Sequence, residues 1–144
     1  GLVIGGAEEA KEDYAAEVRA RVSALGLDDR VTFTGHRDDM PQVLSQCDLV
    51  LALRTTPEAF GRTTLEPLRL GKPVIGWDEG GSGEILRRLF PFGAVPAGDE
   101  AALAARVQAW LASPQRPAES RDFELGTMCE QTFACYRELL DTPS

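Results

Sequence analysis

Short apolar runs alternate with helix-like segments along most of the chain, and this alternation restricts the fold more than any other sequence feature. The apolar runs are residues 2–4, 31–34, 49–53, 73–77 and 93–96. The helix-like segments are residues 8–25, 39–44, 64–70, 84–90, 100–111 and 123–140. Strands separated by helices predict an open α/β layer with a mostly parallel sheet. The longest continuous apolar run, residues 49–53, is expected to be a central strand.

Length and composition indicate one domain over residues 1–144. The 144 residues are 43% hydrophobic, which is enough for a single sizeable core. The formal net charge of −8 disfavours binding to nucleic acid or to an anionic membrane surface. No apolar run approaches the roughly 20 residues that cross a bilayer. Because the chain starts at Gly1 and runs directly into an apolar segment, we expect it to be cut from a longer protein.

The cysteine and histidine content favours a cytoplasmic protein without a metal site. There are three cysteines, without CxxC spacing, and one histidine. An odd number of thiols is typical of reduced, buried cysteines rather than of a disulfide framework. The residues concerned are Cys47, Cys129, Cys135 and His36.

Four predicted turns follow the strands, at residues 5–6, 35–38, 54–62 and 78–83, where open α/β sheets bind ligands. The third turn leads into a helix, with one carboxylate, Glu58, in the turn and another, Glu66, just inside the helix. Between them, Gly61 would let backbone amides at the positive end of the helix approach a diphosphate. Glu66 could then accept hydrogen bonds from vicinal hydroxyls, and Glu58 from sugar hydroxyls. From spacing alone, acids that merely compensate the helix dipole remain an equal alternative.

Several other residues have two interpretations each. His36 is a plain loop residue or a contact to a base, and Arg62 is a solvated residue or faces a diphosphate. Trp77 and Trp110 are expected to be core residues rather than stacking platforms. A glycine-rich turn is expected at residues 80–83, before a short helix.

The run from residue 57 to residue 86 resembles the hallmark of family 4 glycosyltransferases, which have the GT-B fold. It reads PEAFGRTTLEPLRLGKPVIGWDEGGSGEIL. The matching positions are Glu58, Phe60-Gly61, Glu66, Gly71-Lys72-Pro73-Val74, Gly80-Gly81 and Glu84. The resemblance covers nearly the whole chain. It implies the Rossmann-like three-layer α/β/α C-terminal half of a GT-B enzyme, with a core over residues 1–120 and a final helix over residues 121–144.

The resemblance also implies the activity and the role of each site residue. The reaction would transfer a sugar from a nucleotide-diphosphate sugar to an acceptor with retention of anomeric configuration, without a metal or other cofactor. Glu58 would be catalytic and contact the donor sugar, and Glu66 would bind the ribose. Removing Glu66 should weaken donor binding, whereas removing Glu58 should lower turnover more than affinity. The other donor-binding positions would be Ala59, Phe60, Gly61, Arg62, Thr63, Gly35, His36, Arg37, Gly80 and Gly81.

The chain departs from the family pattern in two respects. Family members begin this domain with a central strand that carries Gly-Arg and Lys-Gly pairs, and no such segment precedes residues 2–4. Its absence should leave unpaired edges on the runs at residues 2–4 and 49–53. The N-terminal acceptor-binding domain is absent as well, and an apolar stripe of Phe133, Tyr136 and Leu140 would pack toward it. We therefore expect weak donor affinity and no activity alone; the full-length enzyme is compatible with peripheral membrane association.

Other protein classes fit the sequence less well. A GT-B phosphorylase would need a lysine for pyridoxal phosphate, and the two lysines, Lys11 and Lys72, are not in a fitting context. A GT-B epimerase would need more catalytic acids and histidines. A non-catalytic nucleotide- or protein-binding Rossmann-like module is the alternative from a different class, although the chain has neither GxGxxG nor GxxxxGK[ST].

Overall fold

A computed structural model describes residues 2–5, 12–118, 122–123 and 125–141. The chain forms two compact units, Gly1–Val43 and Leu44–Ser144. In the first unit, β1 (Leu2–Gly5) and β2 (Val31–Gly35) pair in parallel, and α1 (Glu12–Ala24) connects them. The division between the units falls within α2 (Met40–Gln46).

The second unit continues the alternation of strands and helices. Its elements are β3 (Val50–Ala52), α3 (Arg62–Arg69), β4 (Val74–Trp77), α4 (Gly80–Leu89), β5 (Ala94–Val95), α5 (Glu100–Ala112) and α6 (Leu125–Asp141). The three strands are parallel and lie in the order β3-β4-β5. Val50 pairs with Val74, and Trp77 pairs with Val95. The predicted α/β architecture with parallel strands is therefore confirmed.

The core of the second unit surrounds β4, in which every residue is buried. Such a strand is covered on both faces, which explains why its sequence is continuously apolar. The buried hydrophobic residues are Leu68, Val74, Ile75, Trp77, Ile85, Leu86, Leu89, Phe90, Val95 and Trp110. Both tryptophans are therefore core residues, as expected. The indole of Trp110 also donates a hydrogen bond to the Gln115 carbonyl at 3.0 Å.

Strand order corrects one expectation. The central strand of the described three-stranded sheet is β4, whereas β3, within the run at residues 49–53, lies at its edge. Leu51 of β3 is accordingly 37% exposed, because only one neighbouring strand pairs with β3. Among the described residues, β1 pairs only with β2 and β3 only with β4, so each has an open edge, as expected.

Two further expectations about local structure were wrong. Residues 80–83 are not a turn but the first turn of α4, because glycines let this helix start against a neighbouring backbone. The cysteines are not buried: Cys135 is exposed and the other two are half-buried. Residues 6–11, which include the predicted start of the first helix, lie outside the described part of the chain.

The final helix, α6, presents apolar side chains to solvent. Phe133, Tyr136 and Leu140 are 61%, 59% and 84% exposed, so the apolar stripe is present as expected. No helix in the described part of the chain is both long and apolar enough to cross a membrane.

Candidate functional site

The candidate site lies where β3 and β4 end and α3 and α4 begin. Because the two strands are parallel, their carboxyl ends meet at one edge of the sheet, and each is followed by a helix start. The 57–61 loop enters α3 through Gly61, whose φ of 84° lies in the left-handed region that favours glycine. This arrangement brings two positive helix ends to the same edge.

The 57–61 loop packs backbone against backbone on the first turn of α4. The Gly81 N–H donates a hydrogen bond to the Glu58 carbonyl at 2.8 Å. A Cβ on Gly81 would lie only 2.4 Å from the Phe60 carbonyl carbon, and one on Gly61 would lie 2.7 Å from the Ser82 nitrogen. Side chains at these positions would push the loop and the helix apart, so the glycines set how closely they approach.

A buried hydrogen bond joins the two helix starts. The hydroxyl of Thr64, which is fully buried, lies 3.0 Å from the hydroxyl of Ser82. Neither α3 nor α4 has a side-chain N-cap: Gly61, at the N-cap of α3, has no side chain, and the side chain of Glu79, at the N-cap of α4, accepts no backbone hydrogen bond there. Backbone N–H groups at such uncapped starts can bind an anion.

The Glu58 side chain is oriented by two neighbours and is only 13% exposed. The Thr63 hydroxyl donates to both carboxylate oxygens, at 3.2 and 3.3 Å. Arg54, from the segment after β3, lies 3.4 Å from Oε1. The sequence analysis had not singled out Arg54, because a spacing of four residues pairs side chains only within a helix, and residues 54–58 lie in a loop. Glu58 is therefore held in one orientation at the mouth of the site.

Glu66 pairs with Arg62 along α3. The Arg62 guanidinium donates to Oε1 of Glu66 from Nε at 3.0 Å and from Nη2 at 2.8 Å. The side chains are 80% and 49% exposed, respectively. An exposed pair of this kind contributes only about 0.3–0.5 kcal/mol, so a ligand can displace it. Arg62 is thus neither simply solvated nor fixed toward an anion; it pairs with the second carboxylate.

Two adjoining cavities contain these groups. The larger one, about 590 Å³, lies along the loop and the start of α3 and is lined by Arg54, Pro57, Glu58, Ala59, Phe60, Gly61, Arg62, Thr63 and Glu66. The other, about 260 Å³, shares Arg54, Glu58 and Thr63 and extends to Trp77, Glu79 and Ser82. Cavities of roughly 300–1,000 Å³ hold small ligands. The structure therefore gathers every predicted position from residue 58 to residue 66 that was assigned to the donor.

The predicted Gly35-His36-Arg37 turn belongs to the first unit, and its described partners are the carboxylates next to it. The ring Nε2 of His36 lies 3.1 Å from Asp38. Arg37 donates to both oxygens of Asp39, and this hydrogen bonding holds the pKa of Asp39 below its usual value. Contact of this turn with a base stays a prediction.

The described residues include no group of three or more His, Cys, Asp or Glu side chains arranged to hold a metal ion. Metal-independent chemistry nevertheless stays a prediction.

Comparison with known proteins agrees with this geometry. The family model described as "Glycosyl transferases group 1" matches residues 1–123. The 2-deoxystreptamine N-acetyl-D-glucosaminyltransferase of Streptomyces fradiae is 39% identical over 88 residues, which cover 60% of this chain and 21% of that protein.

Solved structures show the same fold. Anabaena Alr3699/HepE in complex with UDP superposes with a TM-score of 0.71 at 34% identity, over 79% of this chain and 31% of that one. A glycosyltransferase from Rickettsia africae has a TM-score of 0.80 over 98% of this chain and 40% of that one; at 20% identity it shows the fold alone. The chain thus spans between about a fifth and two fifths of the length of these proteins. On the strength of the match to residues 1–123, the chain belongs to the glycosyl transferases group 1 family.

Proposed function

We propose that this chain is the donor-binding half of a retaining glycosyltransferase that transfers a sugar from a nucleotide-diphosphate sugar to an acceptor. One observation carries the proposal. Two uncapped helix starts, of α3 and α4, flank the same cavities as the oriented carboxylate of Glu58. Amides suited to a diphosphate therefore lie next to a carboxylate suited to sugar hydroxyls.

The diphosphate is assigned to the backbone amides of residues 59–63 and to that of Gly80 at the start of α4, whereas the Gly81 N–H holds the loop by donating to the Glu58 carbonyl. These dipoles are fixed before the ligand arrives, so they can stabilise charge on the leaving diphosphate without reorganising. Glu66 is assigned to the ribose hydroxyls, with Arg62 free to exchange Glu66 for a phosphate oxygen. Glu58, with Thr63 and Arg54 behind it, is assigned to the donor sugar beside the reacting carbon.

Solved relatives support a nucleotide-sugar donor. Alr3699/HepE has been solved with UDP and glucose and with UDP-glucose, at TM-scores of 0.70 and 0.69 and 35% identity. The curated relatives include a mannosyltransferase and an N-acetylglucosaminyltransferase, so they do not agree on one sugar. We assign the class of donor and leave its base and sugar to measurement.

Acceptor binding is assigned to a separate N-terminal domain of a longer protein. The relatives that this chain matches are several times longer than the matched part. We further propose that the chain alone lacks transferase activity, that the reaction retains the anomeric configuration without a metal, and that the enzyme is cytoplasmic. Retention and metal independence follow from the family resemblance, and the cytoplasmic location rests on the cysteine content.

Ligand screening tests the proposed donor site. The chain is titrated with UDP-, GDP-, ADP- and TDP-sugars, and with ATP and NAD, while thermal stability and binding heat are recorded. We expect one nucleoside diphosphate class to raise the melting temperature increasingly with ligand concentration, as binding to the folded state requires. A response to ATP or NAD alone would contradict the proposal and favour the alternative, a non-catalytic nucleotide-binding module.

Substitution of Glu66 tests whether the donor binds at the proposed site. Glu66→Ala removes an acceptor of two charge-assisted hydrogen bonds, so donor affinity should fall roughly tenfold to hundredfold. Glu130→Ala, at an exposed position inside α6, is the matched control and should leave affinity unchanged. Identical titration curves for wild type and Glu66→Ala would contradict the ribose assignment.

A further inference from the structure

Phe60 of the 57–61 loop is in contact with an aromatic ring from a distant part of the chain. Its ring packs edge-to-face against Phe123, with centroids 6.4 Å apart and planes at 87°. This is a favoured geometry for an aromatic pair, since the positive ring edge meets the negative face of its partner. Phe60 also lines the 590 Å³ cavity, so the contact joins the segment before α6 directly to the candidate site.

Phe123 is itself held in position by its neighbour. Arg88, near the end of α4, donates to both carboxylate oxygens of Asp122, from Nε at 2.6 Å and from Nη2 at 3.0 Å. A two-pronged guanidinium–carboxylate pair fixes orientation as well as distance. Phe123 has a φ of 63°, in the left-handed region that a bulky side chain rarely occupies without support from its surroundings.

These contacts hold the 57–61 loop from two sides through one helix. At its start, α4 binds the loop through the hydrogen bond from the Gly81 N–H to the Glu58 carbonyl. Near its end, α4 holds Asp122 through Arg88 and so places Phe123 on Phe60. The loop, α4 and the turn at residues 122–123 therefore form a closed ring of contacts. Phe60, Arg88, Asp122 and Phe123 also line, together with residues of α6, a cavity of about 370 Å³.

We propose that Phe123 is a positioning residue: through Phe60 it holds the 57–61 loop in the conformation that presents the Glu58 carboxylate and the loop amides to the donor. Phe123 does not line either of the cavities assigned to the donor. It acts on the ligand only through the loop. The effect on donor affinity rests on the proposed function, whereas the effect on the loop does not.

Amide hydrogen exchange in the ligand-free chain tests the positioning role. The Gly81 amide, which donates to the Glu58 carbonyl, reports on opening of the loop. In Phe123→Asn the left-handed backbone is retained and the ring is lost, so exchange at Gly81 should accelerate about threefold to tenfold. Phe123→Trp keeps an aromatic ring and should restore slow exchange. Phe133→Ala, an exposed phenylalanine of α6, is the matched control and should change nothing at Gly81.

Two results would overturn the proposal. One is unchanged exchange at Gly81 in Phe123→Asn. The other is an equal acceleration at the amides of β4, which would show that Phe123 supports the whole unit rather than the loop. If wild type binds a nucleotide sugar, the loss of affinity in Phe123→Asn should not exceed the factor by which exchange accelerates, because loop opening lowers affinity only by the fraction of molecules that it removes from the closed state. If wild type binds none, the proposed function fails while the exchange data still decide the role of Phe123.

Discussion

At the scale of single residues, the site depends on glycines that allow two backbones to touch. Gly61 faces the Ser82 nitrogen, and Gly81 faces the Phe60 and Ala59 carbonyls, at distances that no Cβ tolerates. A Cβ on Gly80 would likewise lie 2.8 Å from the Glu58 oxygen. The Gly-Gly pair at the start of α4 is thus explained by close approach of the loop, before any ligand is considered.

Alanine substitution at Gly81 tests this explanation. Alanine is favoured in a helix by roughly 1 kcal/mol, but the clash with the Phe60 carbonyl should outweigh that gain, with a net loss of about 1–3 kcal/mol. Gly126→Ala is the matched control, since Gly126 is also the second residue of its helix and a Cβ there would meet nothing within 4 Å. It should stabilise the chain by about 0.5–1 kcal/mol.

The unfolding free energy of both variants is measured by urea unfolding followed by tryptophan fluorescence, because Trp77 and Trp110 are buried in the same unit as Gly81. Opposite shifts of the unfolding free energy are expected. Equal stabilisation by both substitutions would show that the loop does not pack on α4 as described.

The two carboxylates of the site differ in how firmly they are held. Glu58 is nearly buried and receives hydrogen bonds from Thr63, so little entropy remains to be lost when a sugar binds. Glu66 is half exposed and paired with Arg62, so binding a ribose there requires one weak ion pair to be exchanged. This contrast fits a sugar-orienting role for Glu58 and a nucleoside-binding role for Glu66.

At the scale of elements, the starts of α3 and α4 lie side by side and place two positive helix ends at one edge of the sheet. The hydrogen bond between Thr64 and Ser82 links them in a buried setting. If this link sets their spacing, then it should carry measurable coupling energy.

A double-mutant cycle measures that coupling. Thr64→Val keeps the shape of the buried side chain and Ser82→Ala removes the partner hydroxyl. The coupling free energy should be about 0.5–1.5 kcal/mol, the usual contribution of one neutral hydrogen bond. If the losses in unfolding free energy of the two single variants add up to that of the double variant within about 0.3 kcal/mol, the two helices are not linked through these hydroxyls.

The sequence predicted most of the elements because their signals are local. Apolar runs and glycine stops located β2, β4 and α3 to within a few residues. The start of α4 was mistaken for a turn because Gly-Gly-Ser-Gly is typical of one, and its close packing against the 57–61 loop is a tertiary contact that no local pattern signals. Whether a strand lies at the edge or in the centre of a sheet also depends on tertiary pairing. The prediction that β3 is a central strand was wrong for this reason.

Within the site, the positions between Glu58 and Glu66 could be predicted because they form one continuous motif. Arg54 and the ring of Phe123 were missed for different reasons. Arg54 acts across a loop, where no helical rule pairs residues four apart. Phe123 reaches Phe60 only through the fold, and no periodic pattern signals such a contact.

At the scale of the whole molecule, the described site lies in the second unit and carries little free positive charge. Arg54 and Arg62 are each paired with a glutamate of the same site, in a chain of net charge −8. Under the proposed function, a diphosphate would therefore be bound mainly by backbone amides.

The central claim is that a nucleoside diphosphate binds at the starts of α3 and α4. The most direct measurement is the backbone amide NMR spectrum of the labelled chain, titrated in turn with UDP, GDP, ADP and TDP. With one of the four, the amides of residues 59–63 and 80–82 should shift together and saturate, while those of α5 stay unchanged. Absence of any shift at these amides with all four, or saturable shifts confined to other parts of the chain, would contradict the account.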